Sequence, residues 1–108
     1  MKTLVSLVPA ALLVAGSALA NDTMDAMIGK TVVYAYDDGT VVKAKYAADG
    51  TYETDVAGGG TWSVDGDTLC ITTAGGDSGC TELASGHGPG DSWKGTDAFG
   101  NPVSISIE

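Results

Sequence analysis

Residues 58–80 read GGGTWSVDGDTLCITTAGGDSGC and contain the strongest indications of the fold. Trp62 and Val64 alternate with polar residues, and Thr68–Thr73 repeats that alternation, which is typical of half-buried β-strands. The dipeptide Asp-Gly at positions 65 and 66 separates the two runs and favours a two-residue hairpin turn. The stretch therefore predicts an antiparallel hairpin in an all-β domain.

Both cysteines of the chain lie in or beside this hairpin. If Leu69 and Ile71 face the core, Cys70 faces outward, and Cys80 does the same when Thr81 faces inward. An even pair of cysteines in an exported chain is read first as a disulfide. We therefore predict a Cys70–Cys80 disulfide on the outer face, closing an 11-residue loop and contributing about 3 kcal/mol to stability.

The first twenty residues have the features of a signal peptide. Lys2 supplies a positive charge, an apolar run follows over residues 4–14, and Ala18-Leu19-Ala20 is a small-x-small cleavage site. The apolar run is too short to span a membrane, which takes roughly 18 residues. We predict cleavage near Ala20 and a single exported domain over residues 21–108, periplasmic or secreted and not bound to a membrane.

Residues 21–108 are strongly acidic. Four lysines oppose all 14 acidic side chains of the chain, a net charge of −10. A field of this sign repels nucleic acid and anionic membranes and attracts a cationic partner, such as a basic protein. The alternative is that acidic turns only keep a small secreted domain soluble. The sequence leaves both explanations open.

The same alternation runs along most of the chain. Residues 21–28 have capping residues and helical spacing and predict a short helix. Residues 58–60 (GGG) predict a flexible reversal, and Val56 is expected to face inward. Eight short strands with brief connections predict an up-and-down antiparallel meander that closes into a small barrel and so removes its exposed edges. The predicted strands cover Thr31–Tyr36, Val41–Tyr46, residues 51–56, residues 61–64, Thr68–Thr73, a run through Cys80–Leu83, Ser92–Thr96 and residues 103–107.

Six aromatic side chains fall on the predicted inner face. They would form either the core of a small barrel or the wall of a ligand cavity. These residues are Tyr34, Tyr36, Tyr46, Tyr52, Trp62 and Trp93.

Two similarities to known proteins bear on the fold. The succession GTWSVDGDTLC at 60–70, Cys80 and GDSW at 90–93 resembles small exported bacterial β-barrel proteins of uncharacterised function. The sequence IGKT at 28–31, followed by a meander, is similar in outline to lipocalin-like barrels. The resemblance implies an exported barrel, and it supplies no catalytic residues.

The sequence predicts no catalytic, metal or cofactor site. His87 is the only histidine, in Gly-His-Gly, and no nucleophile stands at a recognisable spacing from it. We expect it to be exposed and its removal to leave stability nearly unchanged. The acidic pair Asp65 and Asp67 resembles the start of a calcium loop, but position twelve of that loop would be Gly76 instead of glutamate.

Three functions are compatible with these features. The first hypothesis is a non-enzymatic exported module that presents acidic loops to a cationic partner. The second is a carrier that holds a small apolar ligand between the tyrosines and a cap formed by Met24 and Met27. The third and least favoured is a hydrolase that uses acidic side chains.

Overall fold

The computed structural model describes residues 21–56 and 58–108, so the predicted signal peptide lies outside the described residues. Within these described residues, one helix, α1, spans Asp22–Met27, and eight strands follow it. The strands are β1 (Thr31–Tyr36), β2 (Val41–Tyr46), β3 (Thr51–Thr54), β4 (Gly58–Asp65), β5 (Thr68–Thr73), β6 (Ser78–Glu82), β7 (Ser92–Thr96) and β8 (Pro102–Ile107).

The strands form one antiparallel sheet that curls into a nearly closed barrel. Their order in the sheet is β6-β5-β4-β3-β2-β1-β8-β7. Neighbours in the chain are joined by hairpins, with the exception of β6 and β7. The pairing of β1 with β8, in which Tyr34 lies opposite Ile105, links the two ends of the domain. The predicted all-β meander that curls into a small barrel is confirmed, and the barrel is nearly closed, with β6 and β7 as its two unpaired edges.

The gap in the barrel lies between β6 and β7, and we call it the seam. No backbone ladder joins these two described strands. The hydroxyl of Thr81 donates to the carbonyl of Thr96 across the seam, at 2.8 Å. Across the seam, Gly79 lies so close to the turn after β7 that a Cβ atom at Gly79 would collide with the carbonyl of Ala98. The seam is therefore closed by side-chain and backbone contacts without a β-ladder.

The core is the inward face of the strands. In β8, Val103, Ile105 and Ile107 are buried, whereas the serines between them are half-buried on the other face. In β2, Ala44 and Tyr46 are buried and the two lysines are exposed. This period-two burial is what the alternating sequence predicted.

Helix α1 covers one end of the barrel, which we call the capped end. The helix residues Met24 and Met27 are fully buried against the end of the barrel. The side chain of Asn21 accepts a hydrogen bond from the backbone N–H of Met24, as an N-cap does, and donates to the carbonyl of Leu83 at 2.8 Å. The hydroxyl of Thr23 donates to the carbonyl of Ala84 at 2.7 Å. The helix is thus held against the end of β6 by its own first turn.

Three local predictions are corrected. Residues 58–60 are not a flexible reversal but the start of β4, where a Cβ atom at Gly59 or Gly60 would collide with a carbonyl of the neighbouring strand. Only glycine permits so close an approach of neighbouring strands. Strand β3 ends at Thr54, so Val56 lies in the following turn and is 61% exposed instead of facing inward.

The predicted hairpin exists, with its turn displaced by one residue. Asp65 pairs with Thr68, so the two-residue loop consists of Gly66 and Asp67. Gly66 has a φ of 61°, the left-handed value that such turns require.

The predicted disulfide is confirmed. Cys70 of β5 lies directly opposite Cys80 of β6, with Cα atoms 4.0 Å apart, and the two sulfur atoms are bonded. Both residues alternate with inward-facing neighbours, so the bond lies on the outer face beside the seam.

Across the described ranges, we find no helix with the length and apolar character needed to cross a membrane.

Candidate functional site

The barrel contains an internal cavity of about 220 Å³. Its wall comes from the inward face of every described strand except β4. Aliphatic contributions include Ala44, Leu69, Ile71 and Ile105. The cavity is somewhat smaller than the roughly 300–1,000 Å³ of pockets for drug-sized ligands. The interior of this barrel is therefore not completely filled by its own side chains.

The mouth of the cavity lies at the end of the barrel opposite α1. Val56, in the turn after β3, and Phe99, in the turn after β7, both contribute to the cavity wall. Their side chains are 61% and 49% exposed, respectively, although both are large and apolar. Exposed apolar side chains at the rim of a concave site are typical of ligand entrances.

All four tyrosines that the sequence placed on the inner face contribute to the cavity wall. Tyr34 and Tyr36 come from β1, Tyr46 from β2 and Tyr52 from β3. Tyr46 and Tyr52 are directly opposed across β2 and β3, with ring centroids 5.8 Å apart. That these residues contact a ligand stays a prediction.

Two of these tyrosines share a hydrogen bond inside the barrel. The hydroxyls of Tyr34 and Tyr46 are 2.7 Å apart. Burial raises the pKa of Tyr34 well above its ordinary value, and the neighbouring Tyr46 raises it further. Burial likewise raises the pKa of Tyr46 to about 12. Both phenols are therefore neutral hydrogen-bonding groups across the physiological pH range.

A third tyrosine, Tyr36, forms a hydrogen bond at the mouth. The hydroxyl of Tyr36 donates to Asp97 Oδ2 at 2.8 Å, and burial together with this contact raises the pKa of Tyr36 to about 12. Burial opposes ionisation of Asp97, but hydrogen bonds from Asn101, Tyr36 and Phe99 hold the pKa of its carboxyl below the ordinary value. Four hydrogen bonds end on this carboxylate, two on each oxygen. Asp97 thus fixes the β7–β8 turn and holds Tyr36 at the mouth.

The two tryptophans lie away from the cavity wall. Trp62 is half-buried, its indole N–H donates to the carbonyl of Ala47 at 2.9 Å, and its ring meets Tyr46 edge-on. Trp93 packs against the core from β7, beside the seam. Both tryptophans therefore support the barrel wall, and the cavity itself is lined by tyrosines.

The prediction that His87 is exposed is wrong. Its ring is stacked on that of Trp93, with centroids 3.8 Å apart and the planes within 3° of parallel. The backbone N–H of His87 donates to the hydroxyl of Thr23 at 3.1 Å. Helix α1 therefore fixes the loop after β6, and the loop carries the imidazole onto the indole. The sequence Gly-His-Gly holds no local signal for this contact.

The acidic side chains of several turns are used by the turns themselves. Asp38 accepts from the backbone N–H of Thr40, and Asp49 accepts from the N–H and hydroxyl of Thr51. Those hydrogen bonds lower the pKa of both carboxyls. The attraction of a cationic partner stays a prediction. Among residues 21–56 and 58–108, no group of three or more His, Cys, Asp or Glu side chains is placed to hold a metal ion.

Sequence reasoning missed the residues of the mouth. It did not single out Phe99 and did not connect Asp97 with Tyr36, which is 61 residues away. A signal was present, since Asp97 begins the sequence DAFGN and an aspartate at a turn start commonly accepts from the backbone that follows. The contact with Tyr36 depends on the pairing of β1 with β8, and no local pattern reports that pairing.

Comparison of the chain with protein-family models, with curated proteins and with solved structures finds no match.

Proposed function

We propose that this protein is an exported, non-enzymatic carrier that holds a small, mainly apolar molecule inside its barrel. The observation that carries the proposal is the cavity of about 220 Å³, closed by α1 at one end and open between Val56 and Phe99 at the other. An apolar space with a few convergent polar groups is the usual form of a small-molecule site. The disulfide and the signal-like residues 1–20 support export.

The hydrogen bonds that hold both ends of the barrel support the interpretation of the cavity as a binding site instead of a packing defect. The capped end is held by the hydrogen bonds of Asn21 and Thr23, and the mouth is held by Asp97. A site that is formed before the ligand arrives loses less conformational entropy on binding. Burial of an apolar ligand gains roughly 25 cal/mol for each Å² of apolar surface removed from water.

Binding to the cavity is tested with a neutral hydrocarbon and two neighbouring valines. Val42 contributes to the cavity wall, whereas Val41 points outward and is 47% exposed. We titrate 2-isopropenylnaphthalene into the protein and follow backbone amide shifts by NMR. We expect shifts at inward-facing residues, and we expect Val42→Phe to weaken binding by at least tenfold because the phenyl ring occupies the cavity. Val41→Phe should bind as the wild type does.

Equal binding by the two variants, or shifts spread over the outer face, would contradict the carrier. If the phenyl ring at position 42 disturbs folding, the pair Val42→Leu and Val41→Leu repeats the comparison with a smaller change in volume. Native mass spectrometry of the protein from its exported fraction, before and after denaturation, then identifies the molecule that it carries.

A further inference from the structure

The hydroxyl pair of Tyr34 and Tyr46 has one proton more than its own hydrogen bond uses. Each phenol can donate one proton, and the contact between the two oxygens uses one of them. No other partner of either hydroxyl exists among the described residues. One O–H therefore remains without an acceptor from the protein in the cavity wall, and a ligand that displaces water from it without offering an acceptor loses binding free energy.

The pair lies deeper than the mouth. Tyr46 ends β2 at the capped end, where Ile28 forms a bridge with it, and it is only 5% exposed. The hydrogen bond between Tyr36 and Asp97 lies at the opposite end, beside Phe99. A ligand that enters through the mouth therefore reaches the hydroxyl pair with the end that goes in first.

The charges around the cavity restrict the ligand further. Among the described residues of its wall no lysine is present, and the ionisable residues other than tyrosine are Glu82 and Asp97. An anion would lose its hydration without gaining a cationic partner, which is strongly unfavourable. The carboxylate of Asp97 already accepts four hydrogen bonds, so it does not offer a free acceptor to a ligand donor. Glu82 is exposed and alternates with the inward-facing Thr81 of β6, so its carboxylate lies in solvent. The polar group that the site still lacks is a neutral acceptor.

We propose that the ligand is a neutral, mainly hydrocarbon molecule with a carbonyl oxygen at one end, bound with that oxygen accepting a hydrogen bond from the Tyr34–Tyr46 pair. This inference rests on the proposed carrier function and specifies the ligand class. The hydrocarbon part packs against Leu69, Ile71 and Ile105, and its far end lies toward Val56 and Phe99 at the mouth.

Three compounds of the same shape test the inference: 2-acetylnaphthalene, 2-isopropenylnaphthalene and 2-naphthoate. Their polar ends are a ketone, a hydrocarbon and a carboxylate. We expect the ketone to bind roughly fivefold more tightly than the hydrocarbon, the ratio that corresponds to one net hydrogen bond. The carboxylate should bind more weakly than either. Equal affinities of ketone and hydrocarbon, or tightest binding of the carboxylate, would overturn the inference.

The hydroxyl pair is tested by a double variant, since a single change leaves one phenol able to donate. Tyr34→Phe with Tyr46→Phe should abolish the preference for the ketone and leave hydrocarbon binding in place. The matched control is Tyr52→Phe, because Tyr52 also contributes to the cavity wall and its hydroxyl is not part of the pair. A ketone preference that survives the double variant would show that another group binds the oxygen.

Infrared spectroscopy keeps the inference testable if the double variant does not fold. The carbonyl stretch of 2-acetylnaphthalene bound to the wild-type protein should lie at lower wavenumber than in hexane, as a hydrogen-bonded ketone does. A bound ketone with its hexane frequency would overturn the assignment of the hydroxyl pair. Failure of all three compounds to bind would instead overturn the carrier function, so the two proposals fail in different ways.

Discussion

The imidazole of His87 and the indole of Trp93 form a flat stack where the loop after β6 returns to the barrel. Two contacts hold His87: its imidazole stacks on the indole, and its backbone N–H donates to the hydroxyl of Thr23. Asp91 Oδ2 lies 3.9 Å from His87 Nδ1 and accepts a hydrogen bond from the N–H of Gly88. A single loop residue thus connects the helix, the loop and the edge strand β7.

We expect His87→Ala to lower the free energy of unfolding by about 1 kcal/mol, because ring stacking contributes roughly 0.5–1.5 kcal/mol beyond area burial. His87→Phe should retain most of that stability, since a phenyl ring can stack in the same place. Urea denaturation of the three proteins measures the difference, with Ser85→Ala, an exposed change in the same loop, as the control. A His87→Ala variant as stable as the wild type would show that the stack does not support the loop.

The positions of individual side chains could be predicted in the strands but not in the loops. The inward position of Tyr34 and Tyr46 could be predicted, because period-two alternation determines the face of each side chain in a strand. The hydrogen bond between their hydroxyls could not, since the length and tilt of both side chains across a curved wall decide it. The position of His87 depends on the path of a glycine-rich loop, which has no periodicity to analyse.

Helix α1 is a short element whose stability comes from tertiary contacts. Six residues are too few to form a stable isolated helix. The sequence predicted the helix and its cap at Asn21, because the spacing and capping residues are local. The anchor to the carbonyl of Leu83 joins positions 62 residues apart and has no local signal.

We expect Asn21→Ala to destabilise the domain by about 2 kcal/mol, because it removes an N-cap acceptor and a buried donor together. Asn21→Asp keeps the acceptor for Met24 but places a second oxygen against the carbonyl of Leu83 and the carboxylate of Asp67, so it should also destabilise. Hydrogen exchange at the amides of α1, together with urea denaturation, measures both effects. Asp25→Asn, an exposed change in the same helix, is the control; loss of stability there equal to that of Asn21→Ala would contradict a specific anchor.

The strands show a similar division between local and distant causes. The bounds of β1, β2, β5 and β7 follow from alternation and turn residues, and they agree with the prediction. Strand β4 begins earlier than predicted. The prediction placed its start too late because residues 58–60 are glycines, which suggest a loop when considered alone. Their place in the sheet follows from the close approach of the neighbouring strands β3 and β5, whose carbonyls leave no room for a Cβ atom at Gly59 or Gly60.

The buried phenols link the stability of the folded protein to pH. The pKa of Tyr36 and of Tyr46 is raised to about 12 in the folded protein, against about 10 in an unfolded chain. The folded state therefore binds more protons than the unfolded state above pH 10, so this contribution is complete below pH 10 and is lost as pH rises toward 12.

We expect the urea midpoint to fall as pH rises above 10, and tyrosine ionisation, followed by absorbance at 295 nm, to lag behind that of the urea-unfolded chain. The double variant Tyr34→Phe with Tyr46→Phe should show a shallower loss, because two of the raised phenols are gone. A midpoint that stays constant from pH 8 to pH 11, or equal slopes for wild type and variant, would contradict the linkage.

The barrel as a whole was predictable because short connections force neighbouring strands to pair antiparallel. The cavity was not. Whether an interior is filled depends on the diameter at which the sheet closes and on how the rings of four tyrosines pack within it, and both are set by the complete arrangement of strands. The sequence left core and cavity as alternatives for the aromatic residues, and the structure places the tyrosines around open space.

The order of the strands in the chain differs from their order in the sheet. Strands β6 and β7 are consecutive in the chain but lie on the two sides of the seam, whereas β1 and β8 are paired. A circularly permuted chain that begins at residue 90 and joins residue 108 to residue 21 through a linker would run β7-β8-β1 and onward to β6, so that every neighbour in the sheet would be a neighbour in the chain. The pairing of Tyr34 with Ile105, now about 70 residues apart, would become local. Small proteins fold more slowly as the mean sequence separation of their contacts increases. The natural chain order therefore makes closure of the barrel a long-range search, a kinetic property that its final stability does not reveal.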